Sequence, residues 1–306
     1  MRNHFAQTLT ALATNDPRIV LLSGDIGNRL FDPFKRLAPT RFYNCGVAEA
    51  NMIGVAAGLA LQGLRPVCYT IAPFLTYRCL EQIRIDLCYH HLPVVLVGTG
   101  GGLAYANLGP THQSCEELGM LRLLPNLQVC APADNHELGP LLTAAINSTA
   151  PTYLRIGKKG EPPIHAHPVP AKIGPGYLLQ QGQSLAIIAC GTITHNAVAA
   201  GKLLAHQGIK PTLISLPTLK PLDDRLLHTV AKNNAAICTI EEHSVLGGLG
   251  SAVGEWLVKQ GYRTALQCLG TQDEFLPTAT DQKEARRHWG LDPEAIAAAI
   301  TTRFPN

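Results

Sequence analysis

At 306 residues the chain has room for about two domains of on the order of 150 residues each, and 46% hydrophobic against 15% charged residues suits a soluble globular protein with filled cores. A formal net charge of +3, with basic residues scattered or in short pairs such as Lys158–Lys159 and Arg286–Arg287, leaves no run able to track a nucleic-acid backbone. No apolar stretch is long enough to span a bilayer, the first residues hold no apolar signal core, and nine cysteines sit singly with no CxxC pair, so a reduced cytoplasmic protein without a zinc site is expected.

From Met1 the chain moves straight into a helical pattern. Strands are then predicted at Ile19–Ser23, Phe42–Cys45, Pro66–Thr70, Pro93–Gly98, Leu127–Ala131 and Thr152–Ile156. Helical spacing of apolar residues falls at Val47–Gln62, Glu81–Tyr89 and Asn135–Asn147. After Gly157 the pattern breaks, with five prolines between 162 and 175, which predicts a linker or a strap laid over a surface. A second series follows, with strands at Leu185–Cys190, Thr212–Leu216, Ala236–Ile240 and Ala265–Cys268. Its helices fit Asn196–His206, Asp223–Lys232 and Gly250–Lys259, with a last one starting near Pro293. Short apolar runs alternating with longer helical ones predict two doubly wound, parallel α/β domains at 1–157 and 176–306, joined by a linker at 158–175.

Three segments carry residues suited to chemistry. Glu49 opens an otherwise apolar Ala/Gly/Leu helix just after a strand. It is either a carboxylate favoured by the helix N-terminus or one that shares a proton with a ligand nitrogen in an apolar pocket. Phe74 and Tyr77 face one side if a helix has begun there, as core or as a platform for a cofactor. Gly100-Gly101-Gly102 follows a strand and lets a ligand approach the backbone closely. His112, after the Gly109-Pro110 turn, is either an exposed cap or a catalyst.

Strand, Gly46-Val47-x-Glu49-x-x-Met52, an aromatic helix start, the glycine loop and Gly109-Pro110-Thr111-His112-Gln113 together resemble the pyrimidine-binding domain of the transketolase superfamily. That group includes transketolase, deoxyxylulose phosphate synthase and the beta subunits of 2-oxo-acid dehydrogenases. The run Ile240-Glu241-Glu242-His243 through Gly247-Gly248-Leu249-Gly250 resembles the matching C-terminal domain, so the resemblance spans nearly all of 1–306. It implies a pyrimidine-binding thiamine-diphosphate fold followed by a smaller transketolase C-terminal-like α/β domain. It makes Glu49 the carboxylate that hydrogen-bonds the aminopyrimidine of thiamine diphosphate and favours the imino form, whose nitrogen removes the thiazolium C2 proton. It makes Phe74 the stacking aromatic, Tyr77 and Ile71 pocket neighbours, and Asp25 an acid beside the thiazolium. His112 would hold substrate oxygens or shuttle protons. Lys158 stands where an arginine grips sugar phosphate, with Arg29 and Arg155 as further candidates for an anionic substrate end.

Some positions depart from the family pattern. Ile71 replaces an aromatic, Gly100-Gly101 a His-Asp pair and Leu108 an acid, which leaves a ketose phosphate substrate open. No Gly-Asp-Gly occurs in the chain, although the family binds diphosphate and magnesium through that motif. The resemblance thus implies a separate N-terminal-half partner carrying the motif and holding Mg2+, in an α2β2 heterotetramer. The expected function is that of the C-terminal-half subunit of a split transketolase-like enzyme of carbohydrate metabolism, moving a two-carbon ketol unit from a ketose to an aldehyde. The alternatives are a beta subunit of an acyloin-forming or 2-oxo-acid decarboxylating complex and an inactive structural or regulatory homologue.

Overall fold

The computed structural model describes residues 1–304, and within them the strands gather into two sheets. The first contains β1 (Ile19–Ser23), β2 (Phe42–Asn44), β3 (Arg65–Ile71), β4 (Val95–Thr99), β5 (Gln128–Cys130) and β6 (Thr152–Ile156). Next come β7 (Tyr177–Gln180), β8 (Ser184–Cys190) and β9 (Thr212–Ser215) of the second sheet, and then β10 (Thr218–Lys220) returns to the first. The second sheet is completed by β11 (Asn234–Ser244) and β12 (Ala265–Thr271). The first runs β10-β5-β6-β4-β3-β1-β2, parallel except for β10; the second runs β12-β11-β8-β9-β7, parallel except for β7.

Every residue of β1, β4 and β6 is buried, because helices cover both faces; such strands read as mainly apolar runs without alternation. On one face the helices Arg2–Asn15 and Asn135–Asn147 bury Phe5 and Leu9 against Leu138, Leu141 and Leu142. On the other, helix Glu49–Leu61 places Met52, Ile53 and Ala56 in a core that continues into Ile188, Ile214, Val253 and Trp256 of the second half. The two sheets therefore share one apolar layer.

The predicted helix Glu81–Tyr89 is a single turn, Leu80–Gln82, running into a wider π-type winding over Ile83–Tyr89. Neither β7 nor β10 has a predicted counterpart. Each is a short antiparallel edge strand, too brief to leave a periodic signal. Between Ile156 and Tyr177 there is no helix or strand. That proline-rich segment lies over the start of helix Asn135–Asn147, where Asp134 Oδ2 accepts from the N–H groups of Ile164 (2.8 Å) and His165 (3.0 Å).

The Glu241-Glu242-His243 run ends β11 and is wholly buried. Glu241 accepts from the backbone N–H of Leu249 (2.6 Å) and Gly250 (2.8 Å), satisfying free donors at the start of helix Leu249–Gln260. Gly248 must lack a Cβ because the Glu241 carboxylate occupies that space. His243 Nε2 accepts from Gly119 N at 3.0 Å, so its proton lies on Nδ1, 2.7 Å from Ser244 O. Burial, then the Arg155 charge, pushes that imidazole down to about 4, which keeps it neutral in this role. The motif is a clamp between the two halves.

Candidate active site

The chain order fixes where a crevice must open. From β1 the chain crosses to β2 on one side and returns to β3 on the other, so the carboxyl ends of β1 and β3 form a topological switch point. There Gly24 N donates to Tyr69 O at 3.1 Å. A Cβ on Gly24 would crowd Thr70 at 3.0 Å and sit 3.5 Å from the Glu49 side chain, so glycine is what allows this close approach.

Glu49 is at the first turn of its helix and only 2% exposed. Its Oε2 accepts from Arg78 Nη1 at 3.1 Å, while Oε1 is buried without a hydrogen-bond partner. A buried acceptor left bare costs free energy until a donor reaches it, so Oε1 marks where a ligand N–H would be favoured. Beside it, half-buried Phe74 lies in the short helix Ala72–Thr76. The Arg78 guanidinium carbon is 4.4 Å from the Phe74 ring centre, and His112 approaches the same ring edge-on at 5.0 Å. His112 Nδ1 lies 2.9 Å from Thr111 Oγ1, and its ring is 6.2 Å from that of Tyr105, over which Lys158 Nζ sits at 4.5 Å. Contacts thus run from Glu49 through Arg78, Phe74, His112 and Tyr105 to Lys158.

Tyr77 donates its hydroxyl to Glu116 Oε2 at 2.5 Å. Burial, then the Glu117 charge, pushes its phenol well above the usual range, so it remains a donor. Ile71 caps the start of helix Ala72–Thr76. Asp25 is exposed in the left-handed backbone region (φ 55°) and accepts from Asn44 Nδ2 at 2.9 Å, one residue beyond Gly24.

Two candidates are placed apart from this chain of contacts. Arg29 is exposed and lines a different groove, with Asn3, Gln7 and Thr10 of the first helix. Arg155 is buried: its Nε lies 3.0 Å from Glu117 Oε1, and Nη2 donates to the carbonyls of Ser114 (2.8 Å) and Glu242 (2.7 Å). Its Nε and Nη2 are committed to the protein. The glycine loop also differs from expectation, since a Cβ at Gly100 would strike the Tyr105 ring, and Cβ atoms at Gly101 and Gly102 would strike Arg155 and Glu242. Those glycines make room for the side chains of Tyr105, Arg155 and Glu242.

Sequence reasoning missed Arg78 and Tyr105. Arg78 follows Phe74 by four residues, the spacing that brings side chains together on a helix, and that signal was available. Tyr105 left no local sign, because its place depends on the space above Gly100.

Two parallel-based sheets with a bare buried carboxylate at a switch point define the class as a doubly wound α/β protein. Residues 1–162 match the transketolase pyrimidine binding domain and residues 174–296 the transketolase C-terminal domain, and the chain belongs to the transketolase family. A subunit of the apulose-4-phosphate transketolase of Actinobacillus succinogenes is 35% identical over 264 residues, which is 86% of this chain and 85% of that one. A putative transketolase C-terminal section from Methanocaldococcus jannaschii is 33% identical over 98% of this chain and 95% of its own. The 1-deoxy-D-xylulose-5-phosphate synthase of Chlorobium luteolum is 36% identical, but the chain spans only 47% of its length. A solved split-gene transketolase, described as an inactive β4 tetramer, superposes with a TM-score of 0.91 at 34% identity, covering 98% of this chain and 97% of that one. The family resemblance and the two-domain α/β class read from the motifs are borne out. Among the described residues no helix is long and apolar enough to cross a membrane.

Proposed function

We propose that this chain is the pyrimidine-side subunit of a split, thiamine-diphosphate-dependent transketolase that moves a two-carbon ketol unit from a ketose donor to an aldehyde acceptor. The observation that carries this reading is the bare Glu49 Oε1 beside the Phe74 face at the switch point. A buried carboxylate next to an aromatic ring suits an aminopyrimidine, which brings a planar ring and hydrogen-bonding nitrogens. When bound, thiamine diphosphate supplies the nucleophilic carbon to which the two-carbon unit attaches. Glu49 would hold the pyrimidine ring nitrogen and exchange a proton with it at a carboxylate oxygen, while Phe74 fixes the plane of the ring. His112, against Phe74, would hold substrate oxygens, and Lys158, steadied over Tyr105, would face an anionic substrate end. Tyr77, Ile71 and Asp25 complete the pocket wall in this reading.

The diphosphate and Mg2+ are assigned to a partner chain, since this sequence has no Gly-Asp-Gly. Two relatives of matching length, one named as a subunit and one as a C-terminal section, support a separate partner, and an inactive β4 relative fits a subunit incomplete by itself. We also propose the domain division 1–157 and 176–306, with an α2β2 assembly in the cytoplasm. Calorimetry tests the split. The purified chain should bind thiamine diphosphate weakly or not at all, and the mixture with a Gly-Asp-Gly partner tightly and with magnesium. Micromolar, magnesium-dependent binding by this chain alone would overturn it.

A further inference from the structure

One side chain already lies against both residues that the proposed site offers to a pyrimidine: Arg78 covers Phe74 and holds Glu49 Oε2, leaving Oε1 bare. Arg78 Nη1 donates to Glu49 Oε2 at 3.1 Å, and its guanidinium carbon stands 4.4 Å from the centre of the Phe74 ring. A guanidinium and an aminopyrimidine share the elements that matter here: a flat conjugated face, and N–H groups in that plane. The stacking surface of Phe74 and the carboxylate of Glu49 are the two contacts assigned above to the aminopyrimidine. We propose that Arg78 is an internal surrogate for the pyrimidine ring, holding Glu49 and Phe74 in the unliganded chain and turning outward when the ring enters. This rests on the reading of Glu49 and Phe74 as the pyrimidine site.

The local structure suits such a movement. The Arg78 side chain is 47% exposed, against 2% for Glu49, so solvent can receive the guanidinium when it leaves. Only the Arg78 end of the pair reaches solvent, so the guanidinium can leave once a ligand takes over the Glu49 charge. The backbone around it is not one regular helix: a 3₁₀ turn, Tyr77–Cys79, interrupts the α-helical turns Ala72–Thr76 and Leu80–Gln82, and the π-type winding Ile83–Tyr89 follows. Such irregular windings recur at functional sites. Arg78 also gives the buried Glu49 charge a partner in the free chain, where an unpaired carboxylate would be costly. Self-occupation carries a definite consequence: apparent ligand affinity falls by the fraction of chains in which Arg78 has left.

The test uses thiamine, which carries the aminopyrimidine ring without the diphosphate and so does not depend on the partner's groups. Thiamine is titrated calorimetrically into the full-length chain, into Arg78→Ala, Arg78→Gln and Glu49→Gln, and the thermal midpoint of each is recorded. The expected result is opposite signs in one variant: Arg78→Ala binds thiamine about tenfold or more tighter than the parent yet melts at a lower temperature. Arg78→Gln, shorter than arginine but still carrying an N–H donor and the aliphatic stem, should shift both quantities the same way by less, and it replaces Arg78→Ala if that variant does not fold. Unchanged, weaker or absent thiamine binding in the Arg78 variants overturns the proposal. Glu49→Gln separates the two levels of argument. If it loses thiamine while the Arg78 variants gain nothing, the surrogate idea alone falls. If it binds thiamine as the parent does, the pyrimidine reading falls and takes the surrogate with it.

Discussion

Glu49→Gln keeps the size of the side chain and one accepting oxygen but cannot exchange a proton with a ligand nitrogen. With the partner present, turnover should fall by about 10²–10⁴-fold, the usual scale of general acid–base catalysis. Hydrogen–deuterium exchange at the cofactor C2 should slow in parallel, while the thermal midpoint moves little, because the lost partner, Arg78, is half exposed. Wild-type exchange together with wild-type turnover would remove Glu49 from the chemistry. His112 calls for a different signature. It touches Phe74 only edge-on, so His112→Ala should cut kcat strongly and leave cofactor affinity in the complex nearly unchanged. An equal loss of cofactor binding would assign it to the architecture of the Gly109–Gln113 turn instead. At this scale the sequence reveals residue types set against their surroundings: an acid opening an apolar helix, paired aromatics at a helix start, a histidine after a turn. Burial created by distant chain stays hidden. Arg155, within the strand Thr152–Ile156, gives no sign that Glu117 and two carbonyls wait for it.

At the scale of elements, the long periodic segments are legible and the short edges are not. Val47–Gln62 predicts a helix that in the structure runs Glu49–Leu61, and Asn135–Asn147 agrees at both ends, because each buries a full apolar stripe. The strands β7 and β10, four and three residues long, offer no pattern to find, and β10 crosses between sheets, which local sequence does not encode. The segment between Ile156 and Tyr177 is readable as irregular from its prolines, but its attachment is not. That attachment carries a pH dependence. His165 Nε2 lies 2.8 Å from Glu137 Oε1, a carboxylate that also accepts from Ser215 Oγ at 2.6 Å. Burial lowers the His165 pKa, but the hydrogen bond and charge of Glu137 outweigh it, and the net shift is upward. A raised folded-state pKa means that this stabilisation is fully present below the unfolded value of about 6.5 and is lost as pH rises through the folded value. The difference in thermal midpoint between the parent and His165→Gln should therefore be largest near pH 6 and shrink toward pH 9. A difference that does not vary with pH would mean that the pair contributes packing only.

At the scale of the molecule the two sheets are joined by the shared apolar layer, by β10 on the edge of the first sheet, by the His243 clamp on Gly119, and by a buried ionic seam. The seam runs from Glu117 to Arg155 on β6, across to the Glu242 carbonyl on β11, and from the Glu242 carboxylate to Arg286, which is also buried. None of this is visible in either half alone, because each group lacks its partners until the halves meet. Removing one member of such a seam differs from removing an exposed ion pair, since the remaining charge stays buried and unpaired. Arg155→Ala would leave Glu117, whose carboxyl is pushed up by burial and held down by the Arg155 charge, with a bare Oε2 and only the Tyr153 hydroxyl, at 3.4 Å, on Oε1. The expected loss is about 3–5 kcal/mol in urea unfolding, the scale for breaking a buried pair. Glu117→Gln with Arg155→Met, replacing both charges by groups of similar volume, should recover much of that loss, because buried pairs often gain little over well-packed neutral residues. The shared layer further predicts that fluorescence of Trp256, which lies in it, and far-ultraviolet dichroism report one coincident transition in the parent chain. Separate transitions, or an Arg155→Ala variant as stable as the parent, would show that the halves fold independently and that the seam only decorates their contact.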